Sequence, residues 1–165
     1  MLIVWFVMRG NPRIDYRIVA IASILPDVID KPIGRILLRD RFESGRLFGH
    51  TLLLNLALFC VLFFMRGRFK RTFVLVPTSM LMHLAEDAMW AQPRTFWWPL
   101  FGTTFPTDTT GGFLGIHWRV ALIQEAIGLA VLLWLFAAHG MISRDGMAAF
   151  LRTGRLVQPE QEART

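Results

Sequence analysis

Three apolar stretches, each close to basic residues, limit the folds open to this chain more than any other feature. They cover residues 50–65, 72–91 and 119–142, and a shorter apolar run at 18–30 is interrupted by one proline and two aspartates. An α-helix rises about 1.5 Å per residue, so roughly 20 apolar residues cross the ~30 Å hydrocarbon layer of a membrane. The pattern predicts an all-α fold, a small polytopic helical membrane bundle of about three to four apolar helices.

Composition agrees with a membrane location. Hydrophobic residues make up 54% of the chain, and the formal net charge is +6. Apolar segments flanked by basic clusters are typical of inner-membrane proteins that face anionic lipid. Nucleic acid is not expected as a partner, because no segment interleaves basic and aromatic residues densely. We therefore predict a multi-pass protein of the inner (plasma) membrane, with a helical membrane domain at 1–142 and a polar cytoplasmic tail at 143–165.

The basic segment "RGRFKR" at 66–71 predicts the orientation. It carries four Lys/Arg and no acid, which places it in the cytoplasm. The start of stretch 50–65 and the end of stretch 72–91 then face the outer side. Segment 31–46 disagrees, since it also falls outside yet holds Lys31, Arg35, Arg39, Arg41 and Arg46. Either the charge rule is overridden there, or these residues serve an anionic ligand.

Histidines and aspartates from three segments form a candidate metal site. His83 and Asp87 are four residues apart and share a helix face. His50 begins the neighbouring stretch, and Asp27 and Asp30 end the first run, all near the outer interface. Mixed imidazole and carboxylate sets bind divalent metals, with zinc favoured here and manganese or iron possible. A His–Asp pair at this spacing also occurs as an internal hydrogen bond that tightens helix packing, and this alternative stays open.

Two further acids are candidates for supporting roles. Glu86 is offset from His83 on the helix, where it is either a general base or an outward-facing interfacial acid. Glu125 lies inside the longest apolar stretch, where nothing structural demands a charge. It either contacts the second ring nitrogen of a histidine that binds the metal or pairs with an arginine.

Four segments carry a resemblance to a known family. They are "DYRIVAIASILPDVIDKPIG", "GRLFGHTLLLN", "HLAEDAMWAQPRTFWWPLFG" and "EAIG", in this order across residues 15–128. In order and spacing they resemble the motifs of membrane-bound metal-dependent hydrolases, also described as LexA-binding, inner-membrane-associated hydrolases. The resemblance implies metal ligands at the L-P-D-x-x-D, G-H-T and H-x-x-x-D positions, which are here Asp27, Asp30, His50, His83 and Asp87.

The resemblance has one departure. Members of that family usually carry a further histidine on a preceding helix, and this sequence has none before His50. Two interpretations stay open, a longer native chain or a site with fewer ligands.

These observations predict a membrane-embedded metal-dependent hydrolase that acts on a lipid or amphiphilic phosphoester at the outer interface. The metal would activate water, and Asp30 or Glu86 would take the proton. Two alternatives belong to other functional classes. One is a non-catalytic membrane protein with a structural metal, whose coordination would be closed. The other is a small ion- or proton-coupled transporter, which requires acids at graded depths.

Overall fold

A computed structural model describes residues 14–42, 44–106 and 118–156, without the side chains of residues 39, 118–121, 124 and 125. The described residues contain helices and turns but no strand, so the all-α prediction is confirmed. The helices are α1 (Tyr16–Pro32), α2 (Arg39–Phe42), α3 (Leu52–Phe64), α4 (Gly67–Phe73), α5 (Leu75–Glu86), α6 (Pro93–Phe96), α7 (Trp118–Ala138) and α8 (Arg144–Thr153). A π-helical turn, Ile33–Leu37, follows α1, and 3₁₀ turns occupy Phe48–His50 and Met89–Ala91.

The described residues form two compact units. The first comprises residues 18–106 and holds α2 to α6 with most of α1; the second comprises 14–17 and 118–156. In the second unit, the α8 N-terminus is capped by Ser143, whose hydroxyl accepts a hydrogen bond from the Gly146 N–H at 3.0 Å. α8 ends where Gly154 takes a left-handed conformation at φ 68°, which suits a residue without a Cβ.

Helix α3 begins at a capping residue and ends at a glycine turn. The Thr51 hydroxyl accepts a hydrogen bond from the Leu54 N–H at 3.2 Å, which satisfies one of the donors left open at a helix N-terminus. Beyond the helix, Gly67 has φ +66°, a conformation that glycine adopts without steric cost. Most of the basic segment at 66–71 is helical, as the first part of α4.

Pro77 explains why the predicted stretch 72–91 is interrupted near its start, between Phe73 and Leu75. Proline cannot donate the N–H that would bond the carbonyl four residues earlier, here that of Phe73. Helix α4 ends at Phe73, and α5 restarts at Leu75. Pro77 then lies in the first turn of α5, where a missing N–H costs nothing. Its own carbonyl accepts a hydrogen bond from buried Asn55 at 3.1 Å, which links α3 to α5.

Membrane-spanning helices were predicted, and the structure does not confirm them. Within the described parts of the chain, no helix combines the length and the hydropathy needed to cross a membrane. Helix α3 has 13 residues and α5 has 12. At about 1.5 Å per residue each is roughly 20 Å long, well short of the ~30 Å hydrocarbon layer. The third predicted stretch coincides largely with α7.

Candidate metal centre

Asp30, at the end of α1, is a fully buried carboxylate that organises the following loop. Its Oδ2 accepts hydrogen bonds from the Leu47 N–H at 2.6 Å and the His50 N–H at 3.2 Å, and its Oδ1 accepts one from the Gly49 N–H at 2.9 Å. A buried charge is tolerated only when it is paired and hydrogen-bonded. These bonds fix the 3₁₀ turn that carries His50 against the end of α1.

Gly49 allows this close approach. A Cβ at position 49 would lie 2.9 Å from the Pro26 carbonyl oxygen and 3.0 Å from Asp30 Oδ1. Contacts that short force neighbouring atoms to move, because folded interiors are closely packed. Glycine at this position therefore brings the turn against α1. The prediction from sequence did not include this role for Gly49.

His50 is held by Asp30 through one ring nitrogen. Its Nδ1 lies 2.7 Å from Asp30 Oδ2, and both side chains are fully buried. A carboxylate acceptor at this distance places the proton on Nδ1 and leaves a lone pair on Nε2. That Nε2 faces Asp27 Oδ1 at 3.5 Å and Asp87 Oδ2 at 3.8 Å. The imidazole is therefore oriented with its lone pair towards two carboxylates.

His83 completes a three-residue cluster. It lies on α5, and its ring centroid is 5.5 Å from that of His50. Ligand atoms of Asp27, His50 and His83 all lie within 4.8 Å of one another. In a tetrahedral site with bonds of roughly 2.1 Å, ligand atoms are roughly 3.4 Å apart. Small side-chain adjustments would therefore bring these three ligands to one ion.

Two buried ring nitrogens of the cluster indicate that a cation can bind there. His50 Nε2 and His83 Nε2 are buried and have no hydrogen-bond partner among the described residues. Buried polar atoms are normally satisfied, and leaving one unpaired costs about 1–3 kcal/mol. Two imidazoles with one carboxylate form the donor set of catalytic zinc sites and of non-haem iron sites. The residues present therefore fit a divalent metal.

Two basic side chains pair with the carboxylates at the edge of the cluster. Lys31 Nζ lies 2.8 Å from Asp27 Oδ2, with the two residues four apart on α1. Arg46 lies 3.2 Å from Asp87 Oδ2. The Asp27–Lys31 spacing is visible in the sequence, whereas Arg46 and Asp87 are 41 residues apart and only the fold brings them together. Neither pairing was predicted.

Burial and charge shift the pKa values of the cluster in different directions. Burial by itself raises the pKa of Asp27, but contacts with His50 and Lys31 outweigh it and hold that pKa well below its usual range. Burial lowers the pKa of His50, but Asp27 and Asp30 outweigh it and raise it overall. Burial dominates at His83 and lowers its pKa, despite the nearby Asp87. Without metal, a proton therefore competes for His50, while His83 favours the neutral form that binds metals.

The remaining predicted site residues occupy different surroundings. Asp87 caps the C-terminus of α5, with its N–H bonded to the His83 carbonyl at 2.9 Å. Glu86 is exposed at the last position of α5. The side chain of Glu125 lies outside the described residues. The structure thus gathers Asp27, Asp30, His50, His83 and Asp87; their roles as ligands, and those of Asp30 and Glu86 as proton acceptors, stay predictions.

Comparison with known proteins extends this description. The family model described as YdjM inner membrane protein matches residues 2–149. No curated protein and no solved structure matches significantly. The family description names a location and no reaction, so the hydrolase activity implied by the resemblance stays a prediction. Because the match covers most of the 165 residues, the chain belongs to the YdjM inner membrane protein family and is a protein of the inner membrane.

Proposed function

We propose that this protein is a metal-dependent hydrolase of the inner membrane that acts on a lipid or amphiphilic phosphoester at the outer interface. One observation carries the proposal. Ligand atoms of Asp27, His50 and His83 converge within 4.8 Å, while the Nε2 atoms of both histidines are buried and have no hydrogen-bond partner in the part of the chain that the structure describes. Three protein ligands leave a position for water, as in catalytic rather than structural zinc sites.

The residues of the cluster have separable tasks in this proposal. A bound divalent ion, with zinc favoured and manganese or iron possible, would activate a water molecule and polarise a substrate oxygen. His50 and His83 would bind it through Nε2, and Asp27 through Oδ1. Asp30 orients His50 by accepting from its Nδ1, which also makes the imidazole a stronger ligand.

The contacts favour Glu86 over Asp30 as the proton acceptor. A general base must reach the proton it takes, and both Asp30 oxygens already accept hydrogen bonds away from solvent. Glu86 is exposed and adjoins Asp87 at the end of α5. We therefore assign Asp30 to positioning and Glu86 to proton transfer.

Exposed apolar side chains support an amphiphilic substrate. On α1, which supplies Asp27 and Asp30, Ile24 is 56% exposed and Val28 is 57% exposed. Trp90, three residues after Asp87, is 63% exposed. Tryptophan is enriched at membrane interfaces, where its ring is partly in lipid and partly in water. An acyl chain would cover these side chains while its headgroup reaches the metal centre.

Metal analysis of the purified protein tests the proposal. We expect about one divalent transition metal per chain, and most of it should be lost in His50→Ala and in His83→Ala because imidazole is the main neutral ligand. His139→Ala, in the second unit, is the matched control and should keep its metal. Release of headgroup from mixed phospholipids in detergent should stop on chelation and in both ligand variants. Unchanged metal content in both ligand variants would refute the site.

A structural metal is the second candidate. It is favoured by the origin of the ligands, which come from α1, a 3₁₀ turn and α5, so that one ion would clamp three elements. Metal binding of this kind adds directly to folding free energy. A large loss of thermal stability on chelation, with no hydrolysis of any lipid class, would favour this function over the enzyme.

A further inference from the structure

Arg46 is a basic residue whose backbone is fixed beside the metal centre. The buried Ser44 hydroxyl accepts a hydrogen bond from the Arg46 N–H and donates one to the Arg46 carbonyl, both at 3.2 Å. The next residue, Leu47, is held by Asp30 at 2.6 Å. The Arg46 side chain therefore starts from a rigid position and extends to Asp87, the residue that caps α5.

The ion pair between Arg46 and Asp87 is long and uses a single oxygen. Arg46 Nε and one terminal nitrogen both donate to Asp87 Oδ2, at 3.3 and 3.2 Å. A strong guanidinium–carboxylate pair uses two oxygens at roughly 2.7–2.9 Å. Both side chains are partly exposed, and exposed pairs contribute little to stability. This contact is one that a stronger partner can replace.

Asp87 lies between two competing partners. The oxygen that accepts from Arg46 is also 3.8 Å from His50 Nε2, the ring nitrogen that faces the candidate metal position. A divalent ion at His50 would attract this carboxylate far more strongly than one long ion pair does. When Asp87 turns towards the charge of the ion, without joining the three ligands Asp27, His50 and His83, Arg46 loses its acceptor.

The charge of the cluster changes sign when a divalent ion is added. Three carboxylates (Asp27, Asp30 and Asp87) face two basic side chains, Lys31 and Arg46. With neutral imidazoles this leaves an excess of negative charge, and a doubly charged cation turns it into an excess of positive charge. Basic groups beside a metal ion in a partly enclosed site then attract an anion.

We propose that Arg46 is the anion-binding residue of this site, released by Asp87 when the metal binds, and that its ligand is a phosphoryl group. This inference rests on the proposed metal centre. A phosphoryl group offers three oxygens, enough for the metal, Arg46 and Lys31, whereas a carboxylate offers two. The planar guanidinium fork matches phosphoryl geometry. A monoester lipid headgroup, as in phosphatidate, and a soluble phosphate monoester both present these three terminal oxygens, whereas a phosphodiester headgroup presents two.

A metal-free measurement tests the competition between Asp87 and the anion. Methylphosphonate, which cannot be hydrolysed at its P–C bond by this route, serves as the soluble probe in calorimetric titrations of the detergent-solubilised protein after chelation. Asp87→Asn removes the competing charge, so we expect it to bind the probe at least about tenfold more tightly than the unmodified chain. The double variant with Arg46→Met should lose this gain. An equal gain with and without Arg46 would overturn the proposal.

A metal-loaded measurement tests the proposed release. Arg46→Met should keep its zinc affinity, because Asp87 then has no competing partner, but should bind methylphosphonate about tenfold more weakly or worse. Arg46→Lys should be intermediate, since an ammonium lacks the fork. Arg68→Met removes an equal charge from α4 and should change neither. Normal probe binding by zinc-loaded Arg46→Met would overturn the inference, even where zinc binding upholds the metal centre. Failure to bind zinc would instead refute the proposed function, and the metal-free measurement would still test Arg46.

Competition distinguishes the two sources of the phosphoryl group. Phosphatidate in mixed micelles should displace methylphosphonate from the zinc-loaded protein if the ligand is a lipid headgroup. Displacement by glycerol phosphate, with none by the lipid, would identify a soluble monoester. The identified ligand, titrated directly into zinc-loaded Arg46→Met, should bind about tenfold more weakly as well, and unchanged binding in that variant would contradict a role for Arg46.

Discussion

Asp30 accepts a hydrogen bond from the His50 ring at 2.7 Å, between two side chains that are both fully buried. The same carboxylate accepts three backbone N–H groups of the turn that carries His50. Position and tautomer of the imidazole are therefore set by one residue. Such partners behind a metal ligand influence metal affinity almost as much as the ligands themselves.

Asp30→Asn should weaken both folding and metal binding. The amide keeps the size of the side chain but replaces one acceptor by a donor, which then faces N–H groups. We expect a loss of about 3 kcal/mol or more in unfolding free energy, because a buried pair is broken. Metal affinity should fall by about 10–100-fold. Thermal melting and competition with a zinc chelator measure the two effects, and exposed Asp40→Asn is the control. Wild-type values in both assays would contradict the assignment.

Gly49→Ala should destabilise the site through steric overlap. The new Cβ would lie 2.9 Å from the Pro26 carbonyl oxygen and 3.0 Å from Asp30 Oδ1, so the turn or α1 must shift. Overpacking of this kind costs about 1–3 kcal/mol. Gly128→Ala is the matched control, since its Cβ would meet no atom of the described residues outside its own helix within 4 Å and alanine favours a helix. Melting temperatures should therefore fall in the first variant and hold or rise in the second.

The positions of the cluster could be predicted from the sequence because helical spacing carries the information. His83 and Asp87 are four apart, and the Asp87 N–H bonds the His83 carbonyl, as in a continuing helix. The cluster is formed by segments in which a few polar residues are surrounded by apolar ones. A polar residue in such a segment needs a partner, so the sequence alone indicates that these side chains meet.

Other features depend on contacts that the sequence does not show. Arg46 meets Asp87 across 41 residues, and nothing local to either residue predicts it. The role of Gly49 arises from the closeness of Pro26, which only the folded chain brings about. Pro77 is visible in the sequence, but the sequence does not show that one helix ends at Phe73 and another begins at Leu75.

Without metal, stability should decrease as pH rises above about 6.5, the ordinary pKa of histidine. The pKa of His50 is raised in the folded chain, through the carboxylates that face it from α1 and α5. Its contribution is therefore complete below the unfolded pKa and is lost as pH rises through the folded value. The pKa of His83 is lowered in the folded chain. Its protonation therefore changes stability only at pH values below about 6.5 and does not mask the trend caused by His50. Melting of chelator-treated protein at several pH values measures the trend, and His50→Gln should abolish it. A flat profile in the unmodified protein would contradict the raised pKa.

Asp27→Asn and Asp87→Asn separate the two proposed functions of the metal. Both changes preserve size and hydrogen-bonding reach but remove negative charge beside His50. For a hydrolase, both variants should fold and bind a lipid phosphoester, yet lose turnover far more than substrate affinity, because the charge matters most where water is activated. For a structural clamp, the same variants should instead lower the melting temperature in the presence of metal, since the bound ion adds folding free energy directly. Asp40→Asn is again the control, as an exposed aspartate outside the cluster. Melting with and without chelator, measured beside headgroup release, therefore decides between the two: stability that depends on metal, with no hydrolysis of any lipid class, would reject the enzyme.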